Sequence, residues 1–355
     1  MKLPLKTSFA AMEAKAVDRL PSGEGWQFEP KWDGFRCVAF RDGDEVDLRS
    51  KSGQPLARYF PEIVRGLLAA KGGATQFVLD GEIVVPVAGE LSFDFLLQRI
   101  HPAASRAEKL ARETPACFIV FDLLVDERGN DVSVLPLRER RRKLDRFFKK
   151  ALARNAHFQL SPCTEDRSVA QEWLNGRIGT DGVVAKRIDE PYHGGDRLAM
   201  QKIKRMRTAD CVVGGFRYAS KGKLVGSLLL GLYDDDGLLH HCGFTSSFTE
   251  AERAPVTAIV EKLMRSTGKG TGFSGRAPGP SRWSTERTGE WVPLPPVLVC
   301  EVQYDHWSDQ RFRHGTKLLR WRPDKAPRQC TFDQVLGKRL KRRSSNGKTR
   351  GATAA

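Results

Sequence analysis

A single lysine, Lys31, stands in a setting that suits nucleophilic chemistry. It lies in the segment FEPKWDGFRCVAF (28–40), and Asp33, Gly34 and Arg36 follow it closely. The aromatic and β-branched flanks favour an extended chain, whereas a glycine directly after an acid interrupts a regular strand. A lysine amine must lose its proton before it can attack, and in water the pKa of a lysine is about 10.4. Lys31 is thus a candidate nucleophile if its surroundings favour the neutral amine, although a solvated hairpin lysine explains this segment better when it is taken alone.

A second pair of lysines could supply such surroundings. Lys202 and Lys204 flank Ile203 in the segment KIK. Alternate side chains of a strand point to the same side, so both ammonium groups would share one face. There they could grip a phosphate and favour the neutral form of a nearby lysine. Without other motifs, a solvated strand face is the more common explanation.

Carboxylates with the spacing of a metal site occur in LDGEIV (79–84). Asp80 and Glu82 are two residues apart, so both could face one side of a strand. Magnesium prefers oxygen ligands and bridges phosphates, which makes such acids candidates for a nucleotide-linked metal site. The alternative for Asp80 is an ion pair with a neighbouring arginine.

These residues belong to an ordered set of short motifs. After EPKWDGFR (29–36) come SKSG (50–53), LDGEIV (79–84), FDLL (121–124), DGVVAK (181–186), KIK (202–204) and RPDK (322–325). The set resembles that of the covalent nucleotidyltransferase superfamily, which contains ATP-dependent DNA ligases, RNA ligases and mRNA capping enzymes. The segments TADCVVGGFRY (208–218) and RFRHGTKLLRWRPDK (311–325) look most like the small bacterial ATP-dependent DNA ligases of the C type. One motif is weak, but seven in order identify the superfamily.

The resemblance implies both a fold and an activity. The fold would be α+β, with an ATP-grasp-like nucleotidyltransferase domain of antiparallel sheets and helices followed by a small β-barrel OB-fold domain. The activity would be the sealing of nicks between 3′-hydroxyl and 5′-phosphate ends in DNA, in the service of repair. The cofactors would be ATP and Mg²⁺, with Mn²⁺ as an alternative ion. Lys31 would attack the α-phosphate of ATP, carry AMP and pass it to the 5′-phosphate of the nick.

The lysine pair and two acids would assist this chemistry. By resemblance, Lys202 and Lys204 grip the α-phosphate, and Glu82 serves the ribose or the metal. Asp181 stands where the family usually has glutamate, so its shorter side chain favours a metal contact through water.

Other motif residues would bind the nucleotide. The family places the aromatic ring at Phe121 flat against the purine, whereas the sequence alone favours a core position for this phenylalanine. Glu29 would lie near the adenine edge, and Arg36 would contact the ribose or the nick phosphate. Ser50 and Lys51 match an SRNG element in which lysine replaces arginine, a change that removes bidentate phosphate binding.

Five further residues complete the predicted site. Lys186 closes the DGVVAK motif, and Arg197 is a phosphate candidate that precedes the lysine pair. Arg322 and Lys325 would orient the pyrophosphate leaving group, while Asp324 would orient these cations or the metal. Because RPDK lies far down the chain, the two domains should open and close between steps.

The elements that must position these residues fall into two parts. Up to about residue 205, strand-like runs such as FVLDGEIVVPV and CFIVFDLLV alternate with helical patterns, including the basic amphipathic run at 138–152. Beyond it, short strands separated by glycine-rich turns, with one helix near 248–263, fit a small barrel. We therefore predict a nucleotidyltransferase domain at 1–208, an OB-fold domain at 209–336 and a disordered basic tail at 337–355.

Composition and charge agree with a nucleic-acid enzyme. The net charge is +16 for 355 residues, which favours a polyanionic partner over a merely soluble basic protein. Seven cysteines without a CxxC pair argue against a zinc site and a disulfide framework. We expect a cytoplasmic, nucleoid-associated monomer that binds nicked double-stranded DNA and no membrane. The resemblance to C-type ligases also implies a primase-polymerase or other repair proteins as partners.

Two other functions fit the same fold. An RNA ligase or a GTP-dependent capping-type enzyme would use the same lysine, and a catalytically idle DNA-binding protein would keep only the fold. Since 30 residues precede Lys31, we expect no separate DNA-encircling domain at that end. DNA would then be gripped by the OB domain, the basic helix and the tail.

Overall fold

The structure, a computed structural model, describes residues 1–101, 103–176, 180–219, 222–268, 270–279 and 290–336. The chain divides into two compact units, Met1–Arg205 and Met206–Ala355. The division lies three residues before the predicted boundary at 208/209, because the strand that opens the second unit already begins at Arg207. The predicted tail at 337–355 lies outside the described residues.

Six α-helices and nineteen strands occur among the described residues. The helices are α1 (Pro61–Leu68), α2 (Phe93–Leu97), α3 (Ala104–Glu113), α4 (Leu137–Ala151), α5 (Arg167–Leu174) and α6 (Glu250–Thr267). The strands of the first unit are β1 (Lys15–Ala16), β2 (Trp26–Pro30), β3 (Phe35–Asp42), β4 (Glu45–Ser50), β5 (Gln76–Val84), β6 (Pro86–Val87), β7 (Glu90–Leu91), β8 (Cys117–Val125), β9 (Phe158–Leu160), β10 (Gly182–Arg187) and β11 (Met200–Lys204). Those of the second unit are β12 (Arg207–Tyr218), β13 (Val225–Tyr233), β14 (Leu239–Thr245), β15 (Val292–Pro293), β16 (Val299–Tyr304), β17 (Trp307–Ser308), β18 (Arg311–Phe312) and β19 (Lys317–Trp321).

A five-stranded sheet forms the larger part of the first unit. Its strand order is β4-β3-β5-β8-β9, and every pair except β8-β9 is antiparallel. The predicted turn after Asp42 joins β3 to β4, and Gly43 adopts a positive φ of 62° there. The inner strands β5 and β8 are almost wholly buried, as their long apolar runs predict.

The helix α4 covers this sheet with one apolar stripe. Its buried residues are Leu137, Arg140, Leu144, Phe147 and Ala151, a helical spacing that leaves the other basic residues of the helix partly or fully exposed. The predicted amphipathic basic helix is therefore confirmed. The buried Arg140 donates from Nε and Nη2 to the two carboxylate oxygens of Asp122, at 2.9 and 3.0 Å.

A second, four-stranded sheet carries the lysine motifs. Its order is β1-β11-β10-β2, with β10 antiparallel to both of its neighbours. Trp26, Phe28, Val183 and Ile203 pack on one side of it in a separate small core. Because β2 ends at Pro30, the residue that follows it, Lys31, emerges at the end of this sheet.

Two glycines let strands of the first unit approach closely. A Cβ on Gly34 would lie 2.3 Å from the carbonyl oxygen of Ile83, and a Cβ on Gly81 would lie 2.5 Å from that of Ile119. Real side chains cannot occupy such space without moving the backbone. The glycines of KWDGFR and LDGEIV are thus needed for the packing that holds the motifs together.

The second unit is built on antiparallel pairs, as predicted for a small barrel. Strands follow the order β14-β13-β12-β16-β19, and β15 adds to β12. A parallel bridge between Thr245 and Thr316 joins the two ends of this order, which closes the sheet on itself. The helix α6 begins with a capping box in which Thr249 and Glu252 satisfy each other's backbone N–H groups.

The predicted fold class is confirmed: antiparallel sheets with helices in the first unit are followed by a barrel in the second. All seven cysteines are free, and five of them are buried. None of the described helices is long and apolar enough to cross a bilayer.

Candidate active site

Most of the predicted site residues of the first unit line one cavity. Its lining comprises Met12, Glu13, Ala14, Glu29, Pro30, Lys31, Trp32, Arg36, Lys51, Glu82, Phe121, Val184, Lys186, Met200 and Lys202. Six of the seven motifs contribute a side chain, although they are spread over more than 170 residues of sequence. The sequence motifs therefore converge on a single site within this unit.

Lys31 is positioned by backbone pairing beyond the end of β2. Its N–H donates to the carbonyl of Gly182 at 2.9 Å, and its own carbonyl accepts from the N–H of Asp181 at 3.1 Å. A Cβ on Gly182 would lie 2.0 Å from the carbonyl oxygen of Ile203, so only glycine fits here. This pairing brings Asp181 Oδ2 to 3.3 Å from Lys31 Nζ, and both side chains are about one-fifth exposed. Lys31 must leave this ion pair before its amine can attack a phosphate.

Glu29 and Lys186 form a buried ion pair in the wall of the cavity. Lys186 Nζ donates to Glu29 Oε2 at 2.9 Å, and Gln27 donates to Oε1 at 2.8 Å. The two charged side chains are 3–4% exposed, so removal of either partner would leave an uncompensated buried charge. Lys186 Nζ also lies 4.5 Å from the centre of the Phe121 ring.

The position of Phe121 agrees with both expectations from the sequence, a core residue and a residue of the site. The residue is 8% exposed, as a core phenylalanine would be, yet it lines the cavity. Arg36 Cζ lies 4.7 Å from the ring centre, so the phenyl ring is flanked by two cationic side chains. Its stacking on a purine stays a prediction.

Arg36 is held by a buried acid that in turn is held by a tyrosine. The guanidinium donates to both oxygens of Asp80 at 2.6 Å, and Tyr192 Oη donates to Asp80 Oδ2 at 2.5 Å. The tyrosine hydroxyl accepts from the N–H of Met12 at 2.9 Å. Asp80 is fully buried and does not line the cavity. Of the two roles that the sequence allowed for Asp80, metal ligand or partner of an arginine, the structure therefore shows the second. Asp80 positions Arg36 at the cavity wall.

Glu82 is the acid of LDGEIV that faces the cavity. Burial raises the pKa of Glu82 to about 7, although Arg36 and Lys31 act to lower it, and Asp80 and Asp33 add to the rise. The nearby cations Arg36 and Lys31 therefore do not offset the full cost of burying the charged carboxylate. A divalent cation, which prefers oxygen ligands, would offset more of that cost, and Asp181 offers a second carboxylate next to Lys31.

Lys202 and Lys204 share one face of β11, as predicted. Ile203 between them is 1% exposed, while both lysines are partly exposed. Lys202 lines the cavity. Burial lowers the pKa of Lys202, and the neighbouring cations lower it further; these are Lys51, Lys204, Lys31 and Arg197. The cavity therefore has a strongly positive edge.

A second cavity adjoins the first and shares Glu13, Arg36, Lys51 and Glu82 with it. Ser50 lines only this second cavity, and its hydroxyl accepts from the N–H of Gln54 at 3.0 Å. The hydroxyl therefore already stabilises the turn that presents Lys51.

Arg197 lies at the same edge, in the loop before β11. It donates from Nε and Nη2 to Glu13 Oε2, at 3.0 and 2.8 Å, and its side chain is 67% exposed. It is not part of the lining of either cavity. The nucleotide contacts of Ser50 and Arg197 stay predictions.

The RPDK residues form a compact charge cluster in the second unit. Arg322 donates to Asp324 and to Asp210 Oδ1, the latter at 2.8 Å, and Lys325 Nζ lies 3.2 Å from Asp210 Oδ2. A hydrogen bond from Arg322 lowers the pKa of Asp324 to about 2. The predicted roles of Arg322, Asp324 and Lys325 toward pyrophosphate stay predictions.

Sequence reasoning missed several residues of the site. Tyr192 was missed because it lies in no motif and reaches Asp80 only through the fold. Trp32, which donates from Nε1 to Ser161 Oγ at 3.0 Å, stood inside the first motif but was not singled out. Glu13 was missed because an acid in an N-terminal segment without periodicity carries no signal of its own.

Comparison with known proteins now assigns the family. Residues 5–204 match the family model described as "ATP dependent DNA ligase domain", and residues 221–325 match the one described as "ATP dependent DNA ligase C terminal region". The chain belongs to the ATP-dependent DNA ligases. The two matched regions fall one in each structural unit.

Individual relatives place this ligase more closely. It is 44% identical to DNA ligase C1 of Mycolicibacterium smegmatis, over 94% of this chain and 96% of that protein. It is 30% identical to the multifunctional non-homologous end joining DNA repair protein LigD of Mycobacterium tuberculosis, over 85% of this chain and 37% of that protein. A solved structure from a study of Lig E DNA ligases covers 88% of this chain and 99% of its own, with a TM-score of 0.53 and 17% identity, and shows the fold alone. The resemblance to C-type ligases is confirmed by the first of these relatives.

Proposed function

We propose that this ligase seals nicks in double-stranded DNA through an AMP group carried on Lys31. The observation that carries the proposal is the convergence of Lys31, Lys202, Glu82 and Arg36 on one cavity that is also lined by an aromatic ring. A cationic, partly enclosed site with a lysine at its surface suits transfer of a nucleotidyl group.

The first step is the adenylylation of the enzyme. Lys31 loses a proton and leaves Asp181, and its nitrogen attacks the α-phosphorus of ATP. A P–N bond forms, the bond from that phosphorus to the bridging oxygen breaks, and pyrophosphate leaves. Lys202 lies at the cavity edge where it can stabilise charge on the α-phosphate, and Lys204 shares its face.

The next two steps join the DNA. An oxygen of the 5′-phosphate attacks the adenylate phosphorus, the P–N bond breaks, and Lys31 regains a proton. The 3′-hydroxyl then attacks the 5′-phosphorus, which forms the phosphodiester bond and releases AMP. Glu82 and Asp181 would hold Mg²⁺, which lowers the cost of charge on the phosphates when bound.

A joining assay tests this function. Purified protein with ATP and Mg²⁺ should join a labelled nicked duplex with a 5′-phosphate, and GTP in place of ATP should not support joining. Lys31→Ala should abolish joining, whereas Lys109→Ala should retain it, because Lys109 is an exposed lysine on α3 whose one ion-pair partner among the described residues is Glu113 of the same helix. Labelling by GTP alone would favour a capping-type enzyme instead.

We further propose a role in DNA repair within the compartment that holds the chromosome. The similarity to an end-joining repair protein and the net charge of +16 support it. A strain that lacks this ligase should be more sensitive to agents that break DNA, and the Lys31→Ala gene should fail to restore resistance. Equal sensitivity of both strains would count against the repair role. Association with a primase-polymerase stays a prediction.

A further inference from the structure

One acid, Glu13, occupies the edge that the two cavities share. Its carboxylate oxygen Oε2 accepts three hydrogen-bond contacts: from Arg197 Nε at 3.0 Å, from Arg197 Nη2 at 2.8 Å and from Lys51 Nζ at 3.2 Å. Hydrogen bonds from Arg197 and Lys51 lower the pKa of Glu13, so it is ionised at neutral pH. The N-terminal segment thus places a negative charge between two cations, Lys51 and Arg197, that the sequence predicts to bind phosphate.

The surroundings of this acid are strongly cationic. Lys51, Arg197, Lys31 and Lys204 are all close enough to Lys202 to act on its proton. An oxygen that accepts from a guanidinium and an ammonium together has the partners that an oxygen of a phosphate group takes at such a site. The Glu13 carboxylate therefore imitates a bound phosphate oxygen.

The geometry also argues against a purely structural role for this carboxylate. The N-terminal segment is anchored by backbone, because the N–H of Glu13 donates to the carbonyl of Asp196 at 2.7 Å. Lys51 and Arg197 are 56% and 67% exposed, so ion pairs to them add little to the stability of the fold and exchange readily. Removal of the charge should leave the backbone in place.

We propose that Glu13 holds the place of a substrate phosphate between Lys51 and Arg197, and that a phosphate group must displace it in order to bind. This inference rests on the proposed function, since it requires a phosphate-bearing substrate in the cavity. Two substrates offer the group: the pyrophosphate portion of ATP and the 5′-phosphate end of a nick. Glu13 would thus weaken the binding of either, and it would keep the cations paired when the site is empty.

The test is Glu13→Gln, which keeps the shape of the side chain and removes its charge. Binding of pyrophosphate, and of nicked duplexes with a 5′-phosphate or a 5′-hydroxyl, is measured by calorimetry at two salt concentrations. We expect Glu13→Gln to bind one phosphate ligand about threefold to tenfold more tightly at low salt, and less so at high salt. Tighter binding of pyrophosphate would show that Glu13 occupies the position of a nucleotide phosphate. Tighter binding of the 5′-phosphate duplex alone would show that it occupies the position of the phosphate at the nick.

Two further variants sharpen the result. Glu108→Gln is the matched control, because Glu108 is an exposed acid of the same unit that pairs with Arg65 at 3.0 Å and lines neither cavity. It should change neither affinity. In the background of Arg197→Ala, the gain from Glu13→Gln should shrink, since one of the two cations that the acid screens is gone.

Unchanged or weaker binding of both phosphate ligands by Glu13→Gln would overturn the inference. The melting temperature of each variant is measured alongside, so that a loss of folding is recognised. Formation of the AMP adduct by the wild-type protein is scored in the same experiments. A wild-type protein that forms the adduct while Glu13→Gln shows no gain refutes the role of Glu13 alone and leaves the proposed function standing.

Discussion

The hydroxyl of Tyr192 should be a major stabilising group of the first unit. It donates to Asp80 at 2.5 Å and accepts from the N–H of Met12 at 2.9 Å, and all three residues are buried. Tyr192→Phe removes this one atom and keeps the ring in place. Among the residues that the structure describes, the substitution leaves the Met12 amide without an acceptor and leaves the Asp80 carboxylate with Arg36 as its remaining partner.

The magnitude follows from these two losses. A hydrogen bond to a charged group contributes about 1.5–3 kcal/mol, and a buried amide left unsatisfied costs about 1–3 kcal/mol. Because the ion pair with Arg36 still satisfies much of Asp80, we expect a total loss near the lower end, about 3 kcal/mol. For a unit of this size each kcal/mol lowers the melting temperature by about 2–4 °C, so the shift should be about 6–12 °C.

Denaturant unfolding and amide hydrogen exchange measure the two effects separately. Tyr192→Phe should lower the free energy of unfolding of the first unit and speed exchange at Met12. Tyr59→Phe is the control, because the Tyr59 side chain is only partly buried and the described residues provide no hydrogen-bond partner for its hydroxyl. A loss below about 1 kcal/mol with unchanged exchange at Met12 would refute the reasoning, since neither hydrogen bond would then matter.

Two other predictions concern packing and pH. Gly34→Ala should destabilise the first unit by about 1–3 kcal/mol in denaturant unfolding, because its Cβ would lie 2.3 Å from the carbonyl oxygen of Ile83. Gly279→Ala is the control and should cost little in the same assay, because a Cβ at that position would lie in open space. Burial and neighbouring arginines lower the pKa of His241 from 6.5 to about 4, so the unfolded chain binds a proton between these pH values that the folded second unit does not. The second unit should therefore lose up to about 3 kcal/mol as the pH falls from 6.5 to 4, and His241→Gln should remove that part of the pH dependence; an equal pH dependence in the variant would contradict this assignment.

The motifs were readable in the sequence because each combines residue types that are unusual together. The alternation of Lys202, Ile203 and Lys204 predicted a shared face, and β11 shows it. The long apolar runs predicted buried strands, and turn residues predicted the hairpin between β3 and β4. These patterns are local, so they can be recognised in the sequence before the fold is known.

The partners of the motif residues could not be read in the same way. From the sequence, Asp80 could bind either a metal or an arginine. The pairing of β3 with β5 decides between them, because it places Asp80 beside the strand that carries Arg36. Tyr192 and Glu13 act across more than 100 residues of chain, through contacts that no spacing encodes. Long-range pairing of single side chains depends on the assembled fold, and a sequence pattern does not report it.

Every step of the proposed reaction depends on the acceptance of AMP from ATP by Lys31. Intact mass before and after incubation with ATP and Mg²⁺, followed by peptide mapping, tests it most directly. We expect a gain of one AMP moiety on the peptide that contains Lys31, loss of that gain in Lys31→Ala, and its discharge on addition of nicked DNA. A folded protein that gains no mass, or that carries AMP on another residue, would contradict it.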